Sequence, residues 1–502
     1  MNQVARFFDE FVAEQRRYSL LSSINSVLQW DSQCLMPKKA AEYRGEQQAY
    51  VARQAHKMVT SSRYEELLKR AEDETSQHPE KDWRRILLKK SRRDYERKVA
   101  LPADFVADWQ NAAVMGQAAW LDARASRDFS RFQSALTKIV RLAREKCQLL
   151  KQNEETHYDI LLADYDWGVT SRYLENLYVP LRKELVELSQ CVQKERQLGH
   201  SSGKQKISEE LQEKACHELL RAFGFDANVA VLARSAHPFS ATLGPQDYRI
   251  TTRYSADDFS GSFLGTAHEM GHSLYEQNLP SQYWGTMLGQ AASFGVHESQ
   301  SLFWEKQVTC SRSFLKNWWA KLRDLFAPSI LDRATFEEFY EIFNRVEPGL
   351  IRVDADEVHY CLHIMVRFEL EKALIEGELE ACDLPGAWNE KYQSYIGIQP
   401  KDDLEGCLQD IHWSSGAFGY FPSYSIGHLI AAQLAEVMER EHHLSDLIVG
   451  ENYPQILAAL KSLIHEKGSM LDPLDLVEHS TGKPLSSDAF VEYLKNKYAS
   501  RS

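Results

Sequence analysis

Residues 266–277 read TAHEMGHSLYEQ, two histidines four positions apart with a glutamate directly after the first. On a helix, positions four apart point the same way, about 6 Å apart along the axis. His268 and His272 are thus expected to hold one metal ion between their imidazoles. Glu269 sits just off that axis, within reach of a water and without binding the metal. Zinc suits such a site, because it accepts imidazole nitrogen and leaves a coordination position for water. It would lower that water's pKa from about 15.7 toward ~7 and polarise a carbonyl oxygen. Glu269 would take the water's proton and pass it to a leaving amine. The same five letters also arise by chance, so the flanks matter. Phe263, Leu264, Ala267, Leu274 and Tyr275 form the apolar side of a buried helix, and Gly271 lets another element come close.

A catalytic zinc needs a third protein ligand. One zinc-peptidase pattern requires glycine at position 275 and histidine at position 278; those positions hold Tyr275 and Asn278. Glu276 lies about 12 Å along the helix from His268, too far to share the metal. It is expected to orient a ligand histidine or to face solvent. The better candidates are His297 and Glu298 in GVHESQSLFWEK, a second helical pattern. By analogy with metallopeptidases that take a glutamate from a following helix, Glu298 is preferred, and His297 stays open.

Outward from this centre the chain is mainly helical. Segments 4–34, 41–72, 103–126, 129–153, 170–198, 208–224, 290–318, 356–378 and 485–498 carry apolar residues at three-and-four spacing. Pro37, Pro79, Pro102, Pro180, Pro238, Pro245 and Pro280 are expected at element ends. The charge run KKSRRDYERK, residues 89–98, reads as a solvated helix face. Residues 228–255 break the helical pattern with β-branched alternation and a Gly-Pro turn, which predicts a hairpin or small sheet just before the HEMGH helix. No repeat or low-complexity linker divides the chain. One continuous, mainly helical body over residues 1–502 is expected, with two lobes around a cleft.

The chain of 502 residues has 59 basic and 72 acidic side chains, a net charge of -13 that disfavours general nucleic-acid binding. The eight cysteines are scattered with no CxxC pair, as expected for thiols of a reducing cytoplasm. The amphipathic start MNQVARFFDEFVAEQRR lacks the apolar stretch of a signal peptide, and no apolar run approaches the ~20 residues of a membrane span.

Six motifs stand in order along the chain: HPF (237–239), DYRIT (247–251), HEMGH (268–272), HESQ (297–300), IRVDAD (351–356) and GCLQDIHW (406–413). With them, and with WDSQCLMP (30–37) and TGKPLSSDAFVEYL (481–494), the chain resembles the carboxypeptidase Taq family over essentially its whole length. One departure is MPKK where relatives often carry MPP, in a loop remote from the chemistry. The resemblance implies a two-lobed helical metallopeptidase fold with a deep groove, similar to neurolysin and angiotensin-converting enzyme. It implies removal of single residues from peptide C-termini with broad specificity. It also implies a homodimer, and one zinc per subunit that cobalt can replace. By the family motif Glu298 is the third ligand, and His297 then faces a ligand or the substrate.

An exopeptidase must bind a free C-terminal carboxylate, and the planar fork of arginine matches it with two hydrogen bonds. Arg352 in IRVDAD is the first choice and Arg249 in DYRIT the second. The alternative for each is an ordinary ion pair, Arg352 with Asp354 or Asp356 and Arg249 with Asp247. His237 in HPF is a candidate groove residue. Asp410 and His412 are a candidate carboxylate–imidazole pair donating to the tetrahedral intermediate. Tyr420, or second Tyr424, in GAFGYFPSYSIGH is the candidate oxyanion donor. His442 and His443 read as surface residues, and Cys407 as a buried thiol. Two rival functions share many of these features: a zinc oligopeptidase or dipeptidyl peptidase on a similar helical groove, and a helical scaffold with no working site.

Overall fold

The computed structural model describes residues 6–196, 206–329, 331 and 334–499. It begins with α1 (Arg6–Cys34), α2 (Ala41–Val59), α3 (Ser62–Thr75) and α4 (Trp83–Val99). The expected segment 41–72 is two helices, because the Ser61 hydroxyl accepts the Tyr64 N–H and starts a new one. Next come α5 (Ala103–Ser126), α6 (Ser130–Leu150), α7 (His157–Leu162), α8 (Ser171–Arg196) and α9 (Glu209–Ala222). The outer ends of the expected segments 4–34 and 170–198 lie outside the described residues. Pro180 lies inside α8 rather than at an element end, where it removes one backbone hydrogen bond.

The irregular stretch is a three-stranded sheet of β1 (Ala230–Arg234), β2 (Ser240–Gly244) and β3 (Asp247–Thr252), ordered β1-β3-β2. β2 and β3 form an antiparallel hairpin, and β1 runs parallel to β3. The sheet supports α10 (Phe259–Gln277): the Thr252 hydroxyl donates to the Ser262 carbonyl at 3.2 Å.

α11 (Phe294–Leu302) and α12 (Arg312–Phe326) replace the single helix expected over 290–318. Between them Phe303–Thr309 is π-helical, and Ser311 caps α12 by accepting the Phe314 N–H. A π-turn inserts one residue per turn and rotates the side chains that follow it. The chain continues through α13 (Phe336–Asn344), α14 (Tyr360–Glu376), α15 (Leu384–Tyr395), α16 (Pro422–His442), α17 (Leu444–Val449), α18 (Tyr453–Leu463), α19 (Pro473–Thr481) and α20 (Asp488–Tyr498). The first half of α16 shows no amphipathic period, because every position from Ser425 to Leu434 is buried.

Two separate apolar cores divide the molecule. Phe8, Phe11, Leu68, Leu87 and Leu88 build the smaller one from α1, α3 and α4, and the large core takes in most of the remaining elements. A cavity of about 520 Å³ lies at the seam, with Lys90, Arg93 and Arg97 of α4 on one wall and Phe294 and His297 on the other. This corrects the reading of 89–98 as a solvated face. Leu87, Leu88, Ser91 and Tyr95 are buried, so the charged positions beside them are drawn into the seam. Among the described residues, no helix is long and apolar enough to cross a membrane.

Candidate metal centre

α10 starts at Asp258, whose carboxylate accepts the Gly261 N–H at 2.9 Å. Phe263, Met270 and Leu274 are fully buried, each stabilising the fold by roughly 1.5–3 kcal/mol. This fixes the helix in rotation and turns the opposite stripe, His268 and His272, toward α11. Two glycines make the meeting of three helices possible. A Cβ at Gly271 would lie 2.6 Å from the Gln300 carbonyl oxygen on α11. A Cβ at Gly427 on α16 would lie 2.6 Å from Glu298 Cγ. Glu298 is therefore clamped between α10 and α16.

One ligand atom from each of His268, His272 and Glu298 lies within 4.8 Å of the others. Glu298 Oε1 is 3.8 Å from His268 Nε2, and its Oε2 is 3.5 Å from His272 Nε2. Both Nδ1 atoms point away. His268 Nδ1 meets Glu305 Oε2 at 2.8 Å, and His272 Nδ1 meets the His297 carbonyl at 3.1 Å. These acceptors bind the Nδ1 protons and turn both Nε2 atoms toward the Glu298 carboxylate, where a metal would take them. Two imidazole nitrogens and one carboxylate oxygen fit a divalent metal with a position left open.

The centre is buried and rich in carboxylates. Glu269 is 7% exposed, and burial lifts its pKa to about 7. Burial also pushes His268 down, but Glu298 and Glu305 outweigh it and raise its pKa to about 10. Burial and the neighbouring His297 bring His272 down to about 4. Glu298 is pushed up by burial, yet the two histidines hold it at about 2. The Lys306 ammonium, 2.6 Å from Glu305 Oε1, compensates the outer carboxylate.

The expected second-sphere role of Glu276 belongs to Glu305. Glu276 bonds His297 Nε2 at 3.1 Å instead, and the His297 ring stacks on His272 at 4.4 Å. Sequence reasoning missed Glu305, although it stands seven positions after Glu298, the spacing that returns to the same helix face.

Arg352 is 5% exposed, and it pairs with Asp410 rather than with Asp354 or Asp356. Its Nε donates to Asp410 Oδ1 at 2.9 Å and its Nη1 to the Tyr360 hydroxyl at 2.7 Å. The other Asp410 oxygen accepts from Arg367 Nε at 2.7 Å, and Arg367 is fully buried. Asp356 is engaged elsewhere, with His359 Nδ1 at 2.7 Å. Asp410 is thus not the hydrogen-bonded partner of His412. His412 Nε2 lies 3.4 Å from the Tyr424 hydroxyl, and burial brings its pKa down to about 4. Tyr360 and Arg367 were not anticipated, since both sit in a helical pattern that reads as core.

Tyr420 packs edge-on against Tyr165 and Tyr424, and burial together with Glu298 raises its pKa. Arg249 stays with Asp247 at 2.8 Å and lies over the Trp30 ring at 4.5 Å, on the α1 side of the sheet. His237 is exposed, and the adjoining Pro238 approaches Gly265 on α10. His442 and His443 are exposed, and Cys407 is buried.

The comparisons agree with this architecture. A profile of the Carboxypeptidase Taq (M32) metallopeptidase family matches residues 10–498. Thermostable carboxypeptidase 1 of Thermus thermophilus is 39% identical, with 97% of each chain covered. The structure of Pyrococcus furiosus carboxypeptidase in an apo-Mg form superposes with a TM-score of 0.94 at 33% identity, covering 99% of each chain. Metallocarboxypeptidase 1 of Trypanosoma cruzi also gives 0.94 at 33% identity, covering 99% of this chain and 100% of that one. By sequence along its whole length and by fold, this chain belongs to the Carboxypeptidase Taq (M32) metallopeptidase family and is a metallocarboxypeptidase.

Proposed function

We propose that residues 1–502 form one two-lobed, zinc-dependent peptidase unit that releases single amino acids from peptide C-termini with broad specificity. The observation that carries this reading is the convergence of His268, His272 and Glu298 beside the buried Glu269. His268, His272 and Glu298 hold the metal. When bound, zinc supplies Lewis acidity, polarising the scissile carbonyl and making a water more acidic. Glu269, with a pKa near neutrality, accepts that water's proton and delivers it to the departing amine. Tyr420, kept protonated by its surroundings, donates to the developing oxyanion, with neutral His412 beside it at a ring distance of 5.3 Å. Two guanidiniums on one carboxylate leave the Arg352–Asp410–Arg367 cluster net positive, and Arg352 anchors the substrate's terminal carboxylate. His297 and His237 line the peptide path. Arg249 has a structural role, through Asp247 and Trp30.

Peptide hydrolysis followed by mass spectrometry tests the reading. Stepwise loss of single C-terminal residues is expected, abolished by a chelator and restored by zinc or cobalt. Internal cleavage or release of dipeptides contradicts it. The scattered cysteines and the acidic balance support a cytoplasmic protein. Exposed Leu20, Ile24 and Tyr43 on α1 and α2 support a homodimer, which light scattering tests.

A further inference from the structure

Apart from His297, the residues lining the cavity at the seam, and the charge run 89–98, have no part in the mechanism above. The cavity adjoins the metal centre on one side, where His297 lines it and stacks on His272. Its lining does not include Arg352, Tyr360 or Tyr424. With the terminal carboxylate at Arg352, the cavity is left for the part of the peptide on the N-terminal side of the scissile bond. Its volume of about 520 Å³ is that of a small ligand pocket, enough for a few residues.

Most charges on its walls are compensated. Lys90 Nζ bonds Asp472 Oδ1 at 2.6 Å, and Arg97 Nη2 bonds Asp164 Oδ1 at 2.6 Å. Asp94 holds Lys98 at 2.7 Å, and Glu276 holds His297 at 3.1 Å. Arg93 differs. It shares one carboxylate with Lys90: Arg93 Nη1 lies 3.6 Å from the Asp472 Oδ1 that Lys90 holds at 2.6 Å, so two cations face a single anion. Its guanidinium lies 3.8 Å from the centre of the Trp167 ring. A guanidinium over a ring face keeps its N–H groups at the edge, where arginine can receive a second carboxylate.

We propose that Arg93, backed by Trp167, is a specificity-determining residue that binds an acidic side chain of the substrate on the N-terminal side of the scissile bond. The proposal rests on the carboxypeptidase reading and on Arg352 as the terminal anchor. Glutamate would form the charge-assisted pair, whereas glutamine of the same shape would form only a neutral hydrogen bond.

The test is a set of hexapeptides with one free C-terminal residue throughout and a single glutamate moved through each upstream position, each paired with its glutamine analogue. The readout is the ratio of kcat/KM for the glutamate and glutamine peptides, measured within each protein, so that a variant's loss of folded fraction cancels. For the wild type a preference of about 3- to 10-fold for glutamate is expected at one upstream position. The ratio should fall to about 1 in Arg93→Met and invert in Arg93→Glu. A wild-type ratio of 1 at every position, or a ratio unchanged in Arg93→Met, overturns the proposal. Absence of single-residue release from every peptide by the wild type instead overturns the carboxypeptidase reading, and this inference with it.

Discussion

The metal centre and the arginine cluster are both buried sets of charged side chains, but their excess charges have opposite signs. At the centre, the carboxylates of Glu269, Glu298 and Glu305 surround two histidines, with one lysine behind them. In the cluster, Arg352 and Arg367 share the single carboxylate of Asp410. An uncompensated buried charge costs several kcal/mol, so each site is suited to a partner of the opposite sign. A divalent cation answers the first and a carboxylate the second. On the proposed reading, the bound metal meets the first demand and the terminal carboxylate of the substrate the second. In the proposed function, the pairing of the two sites, more than either alone, makes the enzyme an exopeptidase.

Removing the proton carrier should separate chemistry from binding most strongly. Glu269→Gln is expected to keep its metal by elemental analysis and to lower kcat on the order of 10³-fold. Disturbing the other site should act on binding. Asp410→Asn leaves two buried guanidiniums without a counter-charge. It is expected to raise KM for free-acid peptides on the order of 10²-fold and to lower unfolding free energy in urea by about 3 kcal/mol, with metal content unchanged. Glu305→Ala removes the acceptor that orients His268, and metal affinity by chelator competition should fall about 10- to 100-fold. The smallest effect is a slope. Before a cation binds, His268 keeps its proton up to a pKa of about 10, so binding at neutral pH must displace it. Affinity should therefore weaken as pH falls, by up to about tenfold per unit, and calorimetry in buffers of different ionisation enthalpy should record about one proton released.

The two sites also differ in how legible they are in the sequence. His268, Glu269 and His272 lie within one and a half turns of one helix, so their spacing states their geometry. The small sheet and most amphipathic helices are equally legible, because local periodicity makes them. Arg352 and Asp410 meet across 58 positions, and no local pattern says so. Nearer partners, Asp354 and Asp356, looked as good on spacing, and Asp356 was taken by His359. Glu305 was legible, seven positions past Glu298 on the same face, and went unread; α16 was hidden because its first half is buried all round. The run 89–98 misled for the opposite reason: its charges suggested solvent, while Leu87, Leu88 and Tyr95 beside them turned α4 into the seam. Spacing thus reveals what a single helix brings together, and it misses what tertiary packing brings together.

The most direct measurement takes one peptide in two forms, free acid and C-terminal amide, and compares kcat/KM for release of the last residue. A preference for the free acid of at least about 30-fold is expected, because the amide offers Arg352 no carboxylate to bind. Equal rates for the two forms, or cleavage of both at internal bonds, would contradict the pairing of a metal centre with a carboxylate anchor.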